Sequence, residues 1–240
     1  MTVSLPPVLT VVQLDDEVPL DRFAEWLDGV TLRLVRADQG EDIGPVDAVD
    51  GLIVLGGNMS AHDDQLPQIP AARTALTEAV AAGVPTLGIC LGAQLLAVAT
   101  GGRVHVDAPP GREAGTVALR WRPEAQSDPL LGALAADPTV VMPTMHSDAV
   151  VDLPRTGTWL ASSPMYPYQA FRVGNAWGVQ FHPEASPELL RRWAVADQLP
   201  ADDADAMVTA AREADERVAR DGRTLAEAFA ARVRDHVRHR

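Results

Sequence analysis

The feature that most constrains this chain is the regular alternation in its first hundred residues. Short apolar runs at Val8–Leu14, Thr31–Val35, Gly51–Leu55 and Thr86–Ile89 are separated by helical patterns at Leu20–Leu27, Ile69–Ala82 and Leu91–Thr100. Each run is too short for a buried helix and too apolar for a strand with one wet face. Strands that alternate with helices in this way imply βαβ units and a parallel sheet covered on both faces. From Arg103 the pattern changes. Strand-like segments at Arg103–Val106, Thr116–Trp121, Thr139–Met142, Trp159–Ser163 and Gln169–Val173 follow one another without intervening helices. Gly174-Asn175, set between Ala170–Val173 and Ala176–Phe181, signals a tight hairpin. An antiparallel edge on the main sheet is therefore expected.

Beyond Pro187 the text turns helical. Leu189–Val195 reads as one helix, broken by Leu199-Pro200. Asp202-Asp203 are placed to cap a helix over Ala204–Ala219, with Gly222 ending it. Thr224 is placed to cap a last helix through Val237, carrying an apolar stripe of Leu225, Phe229, Val233 and Val237. This organisation predicts one α/β domain over residues 1–196 and a helical extension over 197–240 that packs on it, away from Cys90.

Composition narrows the function. The 240 residues carry a formal net charge of -13, which disfavours nucleic acid as the main partner. All 20 basic residues are arginine, so neither a Schiff-base lysine nor a P-loop lysine is available. No apolar run approaches the roughly 20 residues that span a bilayer, and no targeting signal is visible, so a soluble, cytoplasmic chain without membrane contact is expected. The single cysteine, Cys90, forms no internal disulfide. No nucleotide-binding glycine signature occurs. His62-Asp63-Asp64, His105 and Asp107 read as solvated loop residues rather than metal ligands, so neither a metal nor a cofactor is expected.

Two segments carry the chemistry. In Thr86-Leu87-Gly88-Ile89-Cys90-Leu91-Gly92-Ala93-Gln94, a buried strand runs into Cys90 and a helix begins at once. A strand–nucleophile–helix turn of this kind exposes its nucleophile at a sharp bend, and small flanking residues let neighbouring backbone pass close. The helix N-terminus favours a thiolate, and the Leu91 N–H points where an oxyanion would form. A lone cysteine is more commonly a small buried hydrophobe; the two glycines and the junction argue for more. In Gly178-Val179-Gln180-Phe181-His182-Pro183-Glu184, His182 ends an apolar strand and Glu184 stands two residues on, within reach of the imidazole. A thiolate nucleophile needs such a base, and the base an orienting carboxylate.

Together these segments resemble the class I glutamine amidotransferases, which use a Cys-His-Glu triad. Gln94, Gln180-Phe181-His182-Pro183-Glu184 and Gly56-Gly57-Asn58-Met59-Ser60 all match that pattern, most closely as in stand-alone relatives of the GMP synthetase glutaminase. The resemblance implies a flavodoxin-like open sheet over roughly residues 8 to 195, judged by the βα alternation. It implies Cys90, His182 and Glu184 as catalytic residues and Gly57 and Leu91 as oxyanion donors. Gln94, with His146, Ser147 and Asp148, would bind substrate. Its chemistry would release ammonia from the glutamine side chain, through a thioester, for a synthetase acceptor on another chain. A γ-glutamyl hydrolase or transpeptidase acting on another γ-glutamyl amide, or a non-catalytic partner subunit, are the alternatives. The oligomeric state is left open. The chain departs from the pattern at Asn58, where relatives often have proline. It departs again at Glu113-Ala114-Gly115-Thr116 for Glu-Ile-Gly-Trp, and at Met145-His146-Ser147-Asp148 for Trp-His-Gly-Asp.

Overall fold

The computed structural model describes residues 5–46 and 49–239. Its centre is an eight-stranded sheet. Strands β1 (Val8–Gln13), β2 (Thr31–Arg36), β3 (Gly51–Val54) and β4 (Thr86–Ile89) run parallel, and β12 (Ala176–Val179) adds to β4 in the same direction. The far edge is antiparallel, built by β11 (Ala170–Val173), β10 (Thr158–Ser162) and β7 (Arg120–Trp121). The order β2-β1-β3-β4-β12-β11-β10-β7 is that of a flavodoxin-like open sheet extended by an antiparallel edge. The turn between β11 and β12 is the expected hairpin, with Gly174 at φ +59°. Four other strands leave the main sheet. They form two antiparallel ribbons, β5 (Arg103–His105) with β9 (Ala149–Asp152), and β6 (Glu113–Ala118) with β8 (Val141–His146).

Successive side chains of a strand point to opposite faces, and here each face has its own core. Leu9, Val11, Ile53, Leu55, Leu87 and Ile89 pack with α1 (Phe23–Trp26), α4 (Gly132–Ala135) and α6 (Ala201–Arg238). Val12, Leu52 and Val54 pack with α2 (Gln68–Ala82) and α3 (Leu91–Ala99). The remaining helix, α5 (Pro187–Ala196), is capped by the Ser186 hydroxyl, which accepts from the Leu189 N–H at 3.1 Å.

The C-terminal helix corrects several expectations. Residues 201–238 form one continuous helix rather than two, and Pro200, not an aspartate, stands at its cap; Asp202 and Asp203 lie in its first turn. Thr224 is inside the helix, its hydroxyl bonded to the Arg220 carbonyl one turn back. Gly222 does not end the helix. A Cβ at this position would stand 2.2 Å from the Pro183 carbonyl oxygen and 2.9 Å from the Trp26 ring. A glycine inside a helix costs about 1 kcal/mol relative to alanine, and close approach is what it provides here. Finally, α6 packs directly on the sheet. Leu225, Phe229 and Val233 are fully buried on the sheet, in the same cluster as Cys90, and only Val237 of the stripe is exposed. Burial of those three side chains stabilises the fold by roughly 5–9 kcal/mol in total.

Candidate active site

The site lies where β3, β4 and β12 end side by side at their C-terminal edges, the place where open α/β sheets bind ligands. Cys90 follows β4 and caps α3 with φ +52° and ψ -109°, a conformation that side chains rarely adopt. The neighbouring glycines enforce the bend. A Cβ on Gly92 would fall 2.0 Å from the Val54 carbonyl oxygen, and one on Gly88 would fall 2.4 Å from that of Gly92. Strand β3, strand β4 and the start of α3 therefore touch backbone to backbone at the elbow. Leu91 is the first residue of α3, so its N–H has no partner within the helix and lies beside Cys90.

His182 and Glu184 arrive from the end of β12. The His182 Nδ1 is 2.7 Å from Glu184 Oε1, and both side chains are essentially inaccessible to water. The ring shares a small space with Cys90, which acts on it electrostatically. Burial alone would push the imidazole down, but Glu184 and Cys90 outweigh it through charge and hydrogen bonding, and its pKa is raised to about 10. The chain thus places a thiol, an imidazole and a carboxylate in sequence.

Cys90 opens on two spaces. The larger, of about 260 Å³, is lined by Gly57, Asn58, Gln94, Asp107, Arg112, His146, Ser147, Asp148 and Asp197 among others. Arg112 and Asp197 form an ion pair there. The smaller, of about 20 Å³, lies on the His182 side, walled by Val18, Met145 and Trp193.

All nine residues singled out from the sequence gather in this region, but two are committed differently from a free ligand-binding group. His146 has both ring nitrogens engaged inside the protein, Nδ1 with the Asp148 carbonyl at 2.9 Å and Nε2 with Glu113 Oε2 at 3.2 Å. Glu113 in turn accepts from Ser163 Oγ and Gln169 Nε2, both at 2.6 Å. Gln94 donates through Nε2 to the Asp148 carbonyl at 2.9 Å and to Gln180 Oε1 at 3.3 Å. These residues hold the 146–148 loop in place. The acidic loop at His62 is likewise accounted for: His62 Nε2 meets the Val104 carbonyl, Asp63 accepts from the Ser60 N–H, and Asp64 pairs with Arg73.

Sequence reasoning missed two contributors. Gln180 directs Nε2 at Cys90 Sγ from 3.6 Å. Its spacing of two residues from His182, which puts both on one face of an extended chain, was the available signal. Trp193 of α5 packs its ring on the imidazole, and nothing in its local sequence marked it. The departure at Asn58 also has a physical account: its N–H donates to Asp15 Oδ2 at 3.0 Å, a bond proline cannot make.

Residues 26–199 match the family described as glutamine amidotransferase class-I. The chain belongs to that family. It is 35% identical over 136 residues to GMP synthase [glutamine-hydrolyzing] of Staphylococcus aureus, a match covering 56% of this chain and 24% of that relative. The chain therefore spans about a quarter of the length of that curated relative. Among solved structures, a glutamine amido transferase from Methylobacillus flagellatus superposes with a TM-score of 0.80 at 29% identity, covering 97% of this chain and 96% of the other. A glutamine amidotransferase from Thermotoga maritima shares the fold, with a TM-score of 0.82 at 23% identity over 93% of this chain and 98% of the other. Among the described residues no helix is long and apolar enough to cross a membrane.

Proposed function

We propose that this class I amidotransferase hydrolyses the side-chain amide of glutamine through a thioester on Cys90 and passes the ammonia to an acceptor enzyme on another chain. The observation that carries the reading is the run Cys90–His182–Glu184 at the junction of the two spaces. With the Cys90 proton already on His182, the thiolate attacks the amide carbon, and the N–H groups of Gly57 and Leu91 receive the oxyanion. His182, held protonated by its two neighbours, gives its proton to the departing nitrogen, and ammonia leaves as the thioester forms. The now neutral His182 takes a proton from the incoming water, whose oxygen bonds to the carbonyl carbon. The C–S bond then breaks, releasing glutamate. Glu184 keeps Nδ1 protonated and the ring oriented.

The larger cavity suits the amino-acid end of the substrate. Charges of both signs surround it, as a zwitterion requires, with Asp107, Asp148 and Asp197 set against Arg112. Gln94, His146 and Ser147 shape its wall and hold Asp148. The smaller space supports a primary amide over a substituted one. About 20 Å³ holds one water-sized group, so ammonia and then the hydrolytic water fit where a bulky amine does not.

A substrate panel tests this. Free glutamine should be hydrolysed at a higher kcat/KM than γ-glutamyl peptides or γ-glutamyl alkylamines. Preference for a substituted γ-glutamyl amide would transfer the reading to a γ-glutamyl hydrolase. Co-purification of a synthetase chain that raises the rate on glutamine would support the acceptor role.

A further inference from the structure

Glu184 is completely buried, yet only one of its carboxylate oxygens is used. Oε1 meets His182, while Oε2 has no hydrogen-bond partner among the described residues. The carboxylate is carried to His182 by the turn His182-Pro183-Glu184. That turn is pinned from several sides. The His182 N–H donates to the Pro143 carbonyl at 2.8 Å, and the Ala185 N–H closes on the His182 carbonyl at 3.2 Å. The Ser186 N–H donates to Asp21 Oδ2 at 2.7 Å, and the Glu184 carbonyl accepts from the Arg22 N–H at 3.4 Å.

Helix α6 reaches this turn at two points, one of them through Arg22. Gly222 lies against the Pro183 carbonyl so closely that a single methyl group would have to displace it by about 1 Å to reach ordinary contact. Asp215, two turns earlier on the helix, takes the Arg22 guanidinium in a two-point ion pair at 2.8 and 3.0 Å. The Arg22 and Arg223 guanidinium groups both lie over the Trp26 ring, which is itself in van der Waals range of Gly222. The charged groups near this face of the turn are Asp21 and Arg22 from the segment before α1, and Asp215, Arg220, Asp221 and Arg223 from α6; Arg220 and Asp221 pair with each other.

We propose that α6 is a positioning element of the active site: Gly222 against Pro183, and Asp215 through Arg22, set the backbone turn that aims Glu184 at His182. The inference rests on the proposed triad and adds that residues more than thirty positions further along the chain hold its base in register.

Full-length Gly222→Ala tests it, with glutamine hydrolysis and a side-chain NMR titration of His182 as readouts. The expected result is a fall in kcat of about tenfold to a hundredfold with KM within about threefold, the scale of a 1 Å misplacement. The His182 midpoint should also move from about 10 toward 6.5, because the partner that raises it is displaced. Phe229→Leu, which loosens the same helix elsewhere, should lower the melting temperature without moving the His182 midpoint. Asp215→Asn serves if Gly222→Ala does not fold, with a fall of about threefold in kcat and a midpoint shift in the same direction. Unchanged kcat and midpoint in the folded variants would overturn the proposal, as would an equal midpoint shift in Phe229→Leu. If wild type hydrolyses glutamine but the positioning variants match it, positioning alone fails. If wild type and His182→Gln are equally inert toward glutamine, the triad reading fails and takes the proposal with it.

Discussion

The indole of Trp193 rests on the imidazole of His182, ring centroids 4.5 Å apart and planes tilted by 54°. The indole N–H is itself tied to the Glu17 carbonyl at 2.7 Å, so the ring is fixed from behind. Helix α5 thus supplies a wall against which the base cannot rotate. A protonated imidazole over an aromatic face also gains electrostatically.

Trp193→Leu should therefore lower kcat for glutamine by about tenfold, a typical cost of disturbing a general acid–base residue's geometry. Because Trp193 borders the small His182-side space and not the larger cavity, KM should change by less than about threefold. Steady-state ammonia release measures both.

Gln180 offers a sharper electrostatic test. Its amide donates toward Cys90 Sγ, so Gln180→Glu puts a carboxylate where a donor stood. Like charges at this distance oppose a thiolate. Modification of Cys90 by iodoacetamide at pH 7 should slow, because the carboxylate opposes negative charge on the sulfur that the amide donated to. An unchanged rate would mean that Gln180 does not influence the sulfur.

Much of the fold is legible in the sequence because its causes are local. The bend at Cys90 follows from Gly88 and Gly92, and the βα alternation sets the parallel sheet. The hairpin follows from Gly174-Asn175. The two small ribbons were harder to place, since β5 and β9 are short and their partners are distant in sequence. The break expected at Gly222 was the wrong inference from a correct observation. Glycine does weaken a helix, but here it is needed for contact with Pro183, a residue thirty-nine positions away that no local pattern reveals. Trp193 escapes for the same reason: it acts by touching a group brought close only by the tertiary fold.

His182 should also give the stability a pH dependence. Its folded pKa, raised to about 10, exceeds the ordinary 6.5. Its contribution is therefore fully present below about pH 6.5 and is lost as the pH rises through about 10. Urea midpoints of wild type should fall across that window. His182→Gln should remove this part of the slope, and an identical slope in both proteins would show that the imidazole is not held protonated.

Removal of residues 197–240 should abolish folding rather than trim an accessory. Without α6, Leu9, Val11 and Ile53 lose the layer over their face of the sheet. Roughly 5–9 kcal/mol of apolar burial goes with Leu225, Phe229 and Val233 alone, comparable with the whole stability of a typical domain. Circular dichroism and gel filtration of the truncated chain check this; a soluble, cooperatively melting and active product would contradict it.

The central claim is that Cys90 is the nucleophile that attacks the γ-glutamyl carbonyl. Covalent labelling with an electrophilic analogue of glutamine, read by intact mass and peptide mapping, tests it most directly. The account predicts one adduct per chain, located on Cys90, slowed by competing glutamine and absent in Cys90→Ser and strongly slowed in His182→Gln. An adduct on any other residue, or labelling of Cys90 that glutamine does not slow, would contradict it.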